Sequence, residues 1–391
     1  MRAPSLPLLL AACLISACAS APPPAEMPKS LLADALFGPP TERISTAEVF
    51  AVDAAMRRYL EVDIVAQLRR KGRQAGLIEA LYKRSQLKLE YDSEKTKTAA
   101  EAFETRSGNC LSLVIMTAAL ARELQLSVVY QSAYLDETWS RNGDLMFASG
   151  HVNVTIGRRT IDASGPRDLS PMTIDFLPPQ ELRRLRTHEI DEATVLAMYA
   201  NNRAAEAMTR GRIDDAYAWA AESLRQDPGY ASAYNTLGVV YLRHGNLTEA
   251  ISAFDRALVV DPRNTLVLAN LAQSYERDGR IDDADAVRRR LAEIEPYPPF
   301  HFFNLGLDAM RRDDWLAARD YFSREVERAD YDDEFHFWLG VADWRLGDVA
   351  QATRQMRLAM DNSTTRGQHD IYAAKLAWLQ AHRRKEGVGD S

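Results

Sequence analysis

The sequence predicts a two-part chain, an α+β N-terminal half followed by an all-α solenoid of helical pairs. Three observations carry this reading. From about residue 197 onward a period of 34 is visible, with Pro228, Pro262 and Pro296 in one series and Ala216, Ala250 and Ala284 in another. Before it, helical spacing across residues 46–104 gives way to short strand patterns at 127–133 and 151–156, the order helix first and then antiparallel sheet. The only long apolar run, Leu6 to Ala17, stands at the very start behind Arg2 and is too short to span a bilayer as a mature helix. With 391 residues the chain has room for two or three domains. A net charge of −7, spread along the chain without a dense Lys/Arg stripe, gives a nucleic-acid partner no electrostatic support.

The apolar start closes on Ile15-Ser16-Ala17-Cys18. This resembles a bacterial lipobox, in which small residues admit the lipoprotein signal peptidase and the cysteine becomes the lipidated N-terminus. The resemblance implies a signal peptide over 1–17, lipidation of Cys18 and a membrane contact through that anchor. Ala19 rather than Asp follows, which by the sorting pattern of Gram-negative lipoproteins implies delivery to the outer membrane, facing the periplasm. Residues 18–44, opening on the Pro/Ala-rich stretch Ala19 to Pro28, read as the lipidated N-terminus and a flexible tether. Loss of Cys13 with the signal peptide and acylation of Cys18 then leave Cys110 as the one remaining thiol of an exported chain.

In the domain expected over 45–180, Ser45-Thr46-Ala47-Glu48 offers a helix start, followed by Val49, Ala54, Met56, Leu60, Ile64 and Leu68 at helical spacing. A short helix is expected from Asp92 to Phe103, and an apolar one from Cys110 to about Leu124. One or two further strands should precede Pro178, and the stretch containing Trp139 and residues 143–150 reads as a loop. Gly108-Asn109-Cys110, then His151-Val152-Asn153-Val154, then either Thr160-Ile161-Asp162 or Thr173-Ile174-Asp175-Phe176 resemble, in order, the motifs of the transglutaminase-like superfamily of papain-fold cysteine enzymes. The resemblance implies Cys110 as nucleophile, His151 as its base and Asp162 or Asp175 as the carboxylate orienting the ring. The chemistry suits the residue types. A thiol at a helix N-terminus is stabilised as thiolate by the dipole, a neighbouring imidazole completes the ion pair, and helix-start amides hold an oxyanion. Tyr91 is a candidate second oxyanion donor. A Gly157-Arg158 hairpin turn would favour Asp162, whereas a strand over Met172 to Leu177 would favour Asp175.

A connecting helix is expected over 181–196, about five repeats over 197–366, and a capping helix and tail over 367–391. The clearest unit, 231–264, carries Tyr234, Leu237-Gly238, Tyr241, Ala250, Phe254, Ala257 and Asp261-Pro262. It resembles the tetratricopeptide repeat at every signature position. The resemblance implies a solenoid whose concave surface takes a peptide or protein segment. The repeats hold many arginines and no lysine, which argues against a lysine-containing carboxylate clamp. The aromatic run Tyr297 to Phe303 reads as inter-repeat core or as groove lining. The scattered histidines give no metal-ligand spacing, and there is no Gly-rich phosphate loop, so no cofactor is expected.

Three functions are therefore in play. One is an envelope enzyme that acts on amide or peptide bonds through a thioester at Cys110, as hydrolase or transamidase. Another is a non-catalytic repeat adaptor with a degenerate papain-like domain. The third is a peptide-binding scaffold in which Cys110 is structural.

Overall fold

The computed structural model describes residues 28–82, 89–92, 95–142, 145–157, 171–174, 176, 186–297, 300–363 and 365–386. Four short helices come first: α1 (Ala54–Arg58, continued by a wider turn over Tyr59–Asp63), α2 (Val65–Lys71), α3 (Arg73–Tyr82) and α4 (Ala99–Thr105). Between α3 and α4 lies β1 (Glu90–Tyr91), which pairs in parallel with β2 (Ser107–Gly108). The helix starts differ from the expected ones. Asp53, not Ser45 or Thr46, caps α1 by accepting the Met56 N–H, and α4 begins seven residues after Asp92 with a Thr98/Glu101 capping box. In each case the side chain that reaches the helix-start amides sets the boundary, and apolar spacing does not reveal which one does so.

Helix α5 (Cys110–Glu123) is buried almost throughout and packs on a four-stranded antiparallel sheet. The sheet order is β5-β4-β3-β6, with β3 Val128–Asn142, β4 Leu145–Ile156, β5 Met172–Ile174 and β6 Arg186–Ile190. Val152, Val154 and Ile156 alternate into the core with Tyr130 and Ile174. Two expectations are corrected here. Residues 145–150 form strand rather than loop, because β3 and β4 stay paired past a register shift as far as Asn142↔Leu145. The expected connecting helix is also partly strand, since Arg186–Ile190 adds β6 to the edge of β3, with Tyr130↔Ile190 and Ser132↔His188 in register. Its backbone groups are taken by β3, a distant partner that local spacing cannot show.

The C-terminal half is a row of helical pairs. They are α6 (Glu192–Thr209) with α7 (Ile213–Gln226), α8 (Ala231–His244) with α9 (Leu247–Val260), α10 (Thr265–Arg277) with α11 (Ile281–Ile294), α12 (His301–Arg311) with α13 (Trp315–Arg328), and α14 (Asp333–Arg345) with α15 (Val349–Asn362). Helix α16 (Arg366–Glu386) closes the row through Tyr372, Leu376 and Leu379. The period of 34 reflects packing. Gly211, Gly245, Gly279, Asp313 and Gly347 occupy equivalent left-handed positions after the first helix of each pair. At Gly238 an added Cβ would come within 2.5 Å of the Phe254 ring, and at Gly306 within 2.5 Å of Phe322. The two helices of a pair therefore approach as closely as the aromatic ring allows. Phe300, Phe302 and Phe303 are core, whereas Tyr297 is exposed.

The stretch 28–44 is not a loose tether. It lies as a strap across the first two pairs. Phe37 stacks on Tyr217 with ring centres 4.0 Å apart, and the Glu42 carboxylate accepts from Trp219 Nε1 (2.6 Å), Arg203 (2.9 Å) and Arg212 (3.2 Å). Burial opposes charge on Glu42, but these three donors outweigh it and push its pKa down to about 2. The strap was hidden in the sequence because its partners lie more than 160 residues away.

Gly238→Ala should overpack its pair at a cost of about 1–3 kcal/mol. We expect a melting temperature several degrees below wild type, with part of the loss recovered in Gly238→Ala/Phe254→Leu. An unchanged melt would show that the Phe254 ring moves aside without cost.

Candidate functional site

The turn before α5 is assembled from short polar residues. Asn109 caps the helix, its Oδ1 accepting from the Ser112 N–H (2.9 Å) and hydroxyl (2.7 Å), while its Nδ2 donates to Thr96 Oγ1 (2.9 Å). Lys97, almost wholly buried, directs its ammonium at Ser107 Oγ (2.7 Å), Ser107 O (3.2 Å), Thr105 Oγ1 (3.2 Å) and Asp92 Oδ2 (3.0 Å). Its own N–H donates to Ser112 Oγ at 2.8 Å. Gly108 fits because a Cβ there would lie 2.7 Å from that of Ser112. Arg106 turns the chain through the left-handed region with φ 53°. These contacts hold Cys110 as the first residue of α5, half-buried, where the helix-start amides and the positive end of the helix dipole lie.

The other expected site residues are placed as follows. His151 lies in β4, its backbone in register with Ala133, and α5 packs on that strand. The fold thus brings together the elements carrying Cys110 and His151, and the orientation of the imidazole lies outside the described residues. Asp162 and Asp175 both lie outside them as well. The strand beside β4 is β5, with Val154↔Ile174, Thr155↔Thr173 and Ile156↔Met172 in register, and the hairpin partner of Asn153 is Gln131 on β3. The backbone of Tyr91 is in register with Gly108, next to the turn. Cys18 lies outside the described residues.

Sequence reading missed Lys97 and Thr96. Their roles depend on groups gathered from 92, 105, 107, 109 and 112, and the tripeptide Thr96-Lys97-Thr98 carries no local signal of this. The same short stretch touches the repeats, because the Thr96 N–H donates to Glu206 Oε1 of α6 at 2.6 Å. A separate crevice at the junction is lined by Ile44, Phe50, Leu196, Glu192 and Glu222, and Cys110 is not part of its wall. Among the described residues no group of His, Cys, Asp and Glu could hold a metal ion, and no helix is long and apolar enough to cross a membrane.

Helical pairs that repeat at a fixed spacing of 34 residues define a helical-repeat protein. The comparisons with known proteins specify the type. The tetratricopeptide repeat family model matches residues 201–265, 235–297 and 303–362, so this chain carries tetratricopeptide repeats. It is 34% identical over 96 residues to small glutamine-rich tetratricopeptide repeat-containing protein 2 of Mycosarcoma maydis, covering 23% of this chain and 27% of that protein. To DnaJ homolog subfamily C member 7 of Mus musculus it is 33% identical over 101 residues, 25% of this chain and 20% of the relative. The chain therefore spans about a quarter of the length of the curated relatives it matches. Among solved structures it is similar to Pseudomonas aeruginosa pilF, with 20% identity, 50% of this chain and 87% of that chain covered, and a TM-score of 0.30. For MamA from Desulfovibrio magneticus RS-1 the values are 16%, 44%, 96% and 0.26. At these scores the structural likeness adds nothing to what the repeats themselves show.

Asn109→Ala removes a cap and should lower stability by about 1 kcal/mol. Lys97→Met should cost more, about 2 kcal/mol, because it removes a buried ammonium's bonds to the Asp92 carboxylate, the Ser107 carbonyl and the Ser107 hydroxyl. Thermal melts of the two variants should rank in that order. Equal melts would mean that the Lys97 contacts contribute nothing net.

Proposed function

We propose that this protein is an adaptor of the bacterial envelope that holds a protein or peptide partner on its tetratricopeptide repeats. The observation that supports it is the succession of five helical pairs from α6 to α15, their turns 34 residues apart from Gly211 to Gly347, closed by α16. Such a row offers many equivalent side chains along one surface, which suits an extended protein segment. Across the first helices of neighbouring repeats, Asn270 Nδ2 donates to Asn235 Oδ1 at 2.9 Å, so polar groups able to meet a peptide main chain bridge one repeat to the next. Attachment to the outer membrane through a lipid on Cys18 belongs to the same proposal and rests on the lipobox-like residues alone. A random-peptide display library selected on the purified chain should enrich one shared motif. Its binding should weaken at least tenfold in Asn235→Ala/Asn270→Ala. Failure to enrich any motif above the heat-denatured control would reduce the repeats to scaffolding.

A second reading, a transglutaminase-like site, is favoured by one specific observation. Cys110 opens a helix that packs on the strand carrying His151. In that reading the Cys110 thiolate attacks an amide carbon, and the leaving amine takes its proton from His151. Water or a second amine then resolves the thioester. Asp162 or Asp175 would orient the imidazole. Alkylation of Cys110 measured against pH separates the two readings. Rapid modification persisting well below the ordinary thiol pKa of about 8.5, and lost in His151→Ala, would establish a Cys–His pair. A thiol that titrates normally with and without His151 would leave the adaptor alone.

A further inference from the structure

The strap meets the repeats as a bound peptide would. Its main chain is recognised at three places. Tyr241 Oη donates to Leu31 O (2.8 Å) and accepts from the Ala33 N–H (2.9 Å). Asp214 Oδ1 accepts the Gly38 N–H (2.8 Å), and Asp215 accepts both the N–H (2.5 Å) and the hydroxyl (2.6 Å) of Thr41. Three side chains anchor it. Asp34 Oδ1 accepts from the Tyr217 hydroxyl (2.7 Å). Phe37 lies flat on Tyr217, 6° from parallel, with His244 at 4.4 Å on centres, and Glu42 ends in the Trp219–Arg203–Arg212 cradle. Residues 34–36 and 38–41 are exposed, Leu36 included, and of the segment only Leu31 is buried in the core. Main-chain hydrogen bonds with an aromatic anchor and carboxylate anchors are how an extended ligand is held, with affinity from the backbone and selectivity from the anchors.

We infer that the face formed by α6, α7 and α8 is a peptide-recognition site for an extended protein segment bearing an aromatic ring five residues ahead of a glutamate, closed at rest by the chain's own residues 31–42. This deepens the adaptor reading and rests on it, since it names a second docking face on the same repeats and the device that guards it. A short covalent connection presents the strap at an effective concentration of about millimolar. A partner segment of the same kind is therefore shut out unless the strap loosens or the partner binds more tightly.

The test uses the full chain and a fluorescein-labelled peptide of residues 29–45, read by anisotropy. Wild type should show no saturable binding below about 100 μM, because the site is filled in cis. Phe37→Ala/Glu42→Gln alters only the strap and leaves the receptor side chains in place. It should bind the wild-type peptide at least tenfold more tightly than the wild-type chain does, and should not bind a peptide carrying the same two substitutions. Faster proteolysis between residues 33 and 42 in the double variant reports release. A released strap with no peptide binding would overturn the inference, as would equal binding by both chains. A strap cleaved no faster than wild type would overturn the assignment of Phe37 and Glu42 as its anchors. The library selection addresses the Asn235–Asn270 surface separately, so either result stands without the other.

Discussion

Arg203 sits where three parts of the molecule meet, and the arrangement of those parts depends on how its charge is met. The residue is 9% exposed, on α6. It bonds Glu42 of the strap, lies 3.8 Å from Glu206 one turn along its own helix, and stands 5.5 Å over the Trp219 ring of α7. A buried cation is costly unless each part of its surface finds an anion, an acceptor or a π face. Glu206 is local, but Trp219 lies on the next helix and Glu42 lies 161 residues away, so the charge is fully met only when strap, first helix and second helix are assembled together. Removing the Glu42 carboxylate would leave Arg203 and Arg212 facing each other without it, and so the strap belongs to the folded unit.

Glu206 carries the constraint onward. Burial pushes its pKa up, and the Thr96 N–H and Arg203 act against this. Thr96 in turn accepts from Asn109, the residue that caps the cysteine helix. Two hydrogen bonds therefore separate the repeat array from the turn that holds Cys110. The apolar packing follows the same path, because one continuous core runs from Leu31 through α5 and the sheet to Ala284 of the third repeat. The α+β part and the first repeats are not two bodies joined by a linker. The thiol is therefore held at a defined position relative to the first repeats.

The array is less uniform than its period suggests. Beyond the third pair the core is divided, with one cluster around Phe300, Phe303, Phe322 and Phe335 and another where α15 meets α16. Helix α11 buries only Ala284 fully, and Phe300 takes a left-handed backbone at the start of α12. Arg328 reaches back across this junction to Tyr297 O at 2.7 Å and Glu295 at 3.5 Å. A solenoid is held by neighbour-to-neighbour interfaces, so a thin interface at one point divides it into blocks. Here the first block is welded to the cysteine-bearing part, and the last two pairs with α16 form the other.

The sequence by itself determined the repeats. A tetratricopeptide unit is stabilised by contacts within itself and with its neighbour, so Gly238 beneath Phe254, and the alanines and prolines at intervals of 34, state the packing in local pattern. It also placed Cys110 at the head of an apolar helix, because a helix start and an apolar face are local facts. Tertiary structure alone decided the docking of residues 28–44, the burial of Lys97 beneath the cysteine turn, and the pairing of Arg186–Ile190 with β3. Each of these rests on hydrogen bonds or ion pairs to groups that local sequence cannot identify, or to a strand more than 50 residues away. In such cases the residues involved are ordinary, and only the fold supplies the partner that gives them a role.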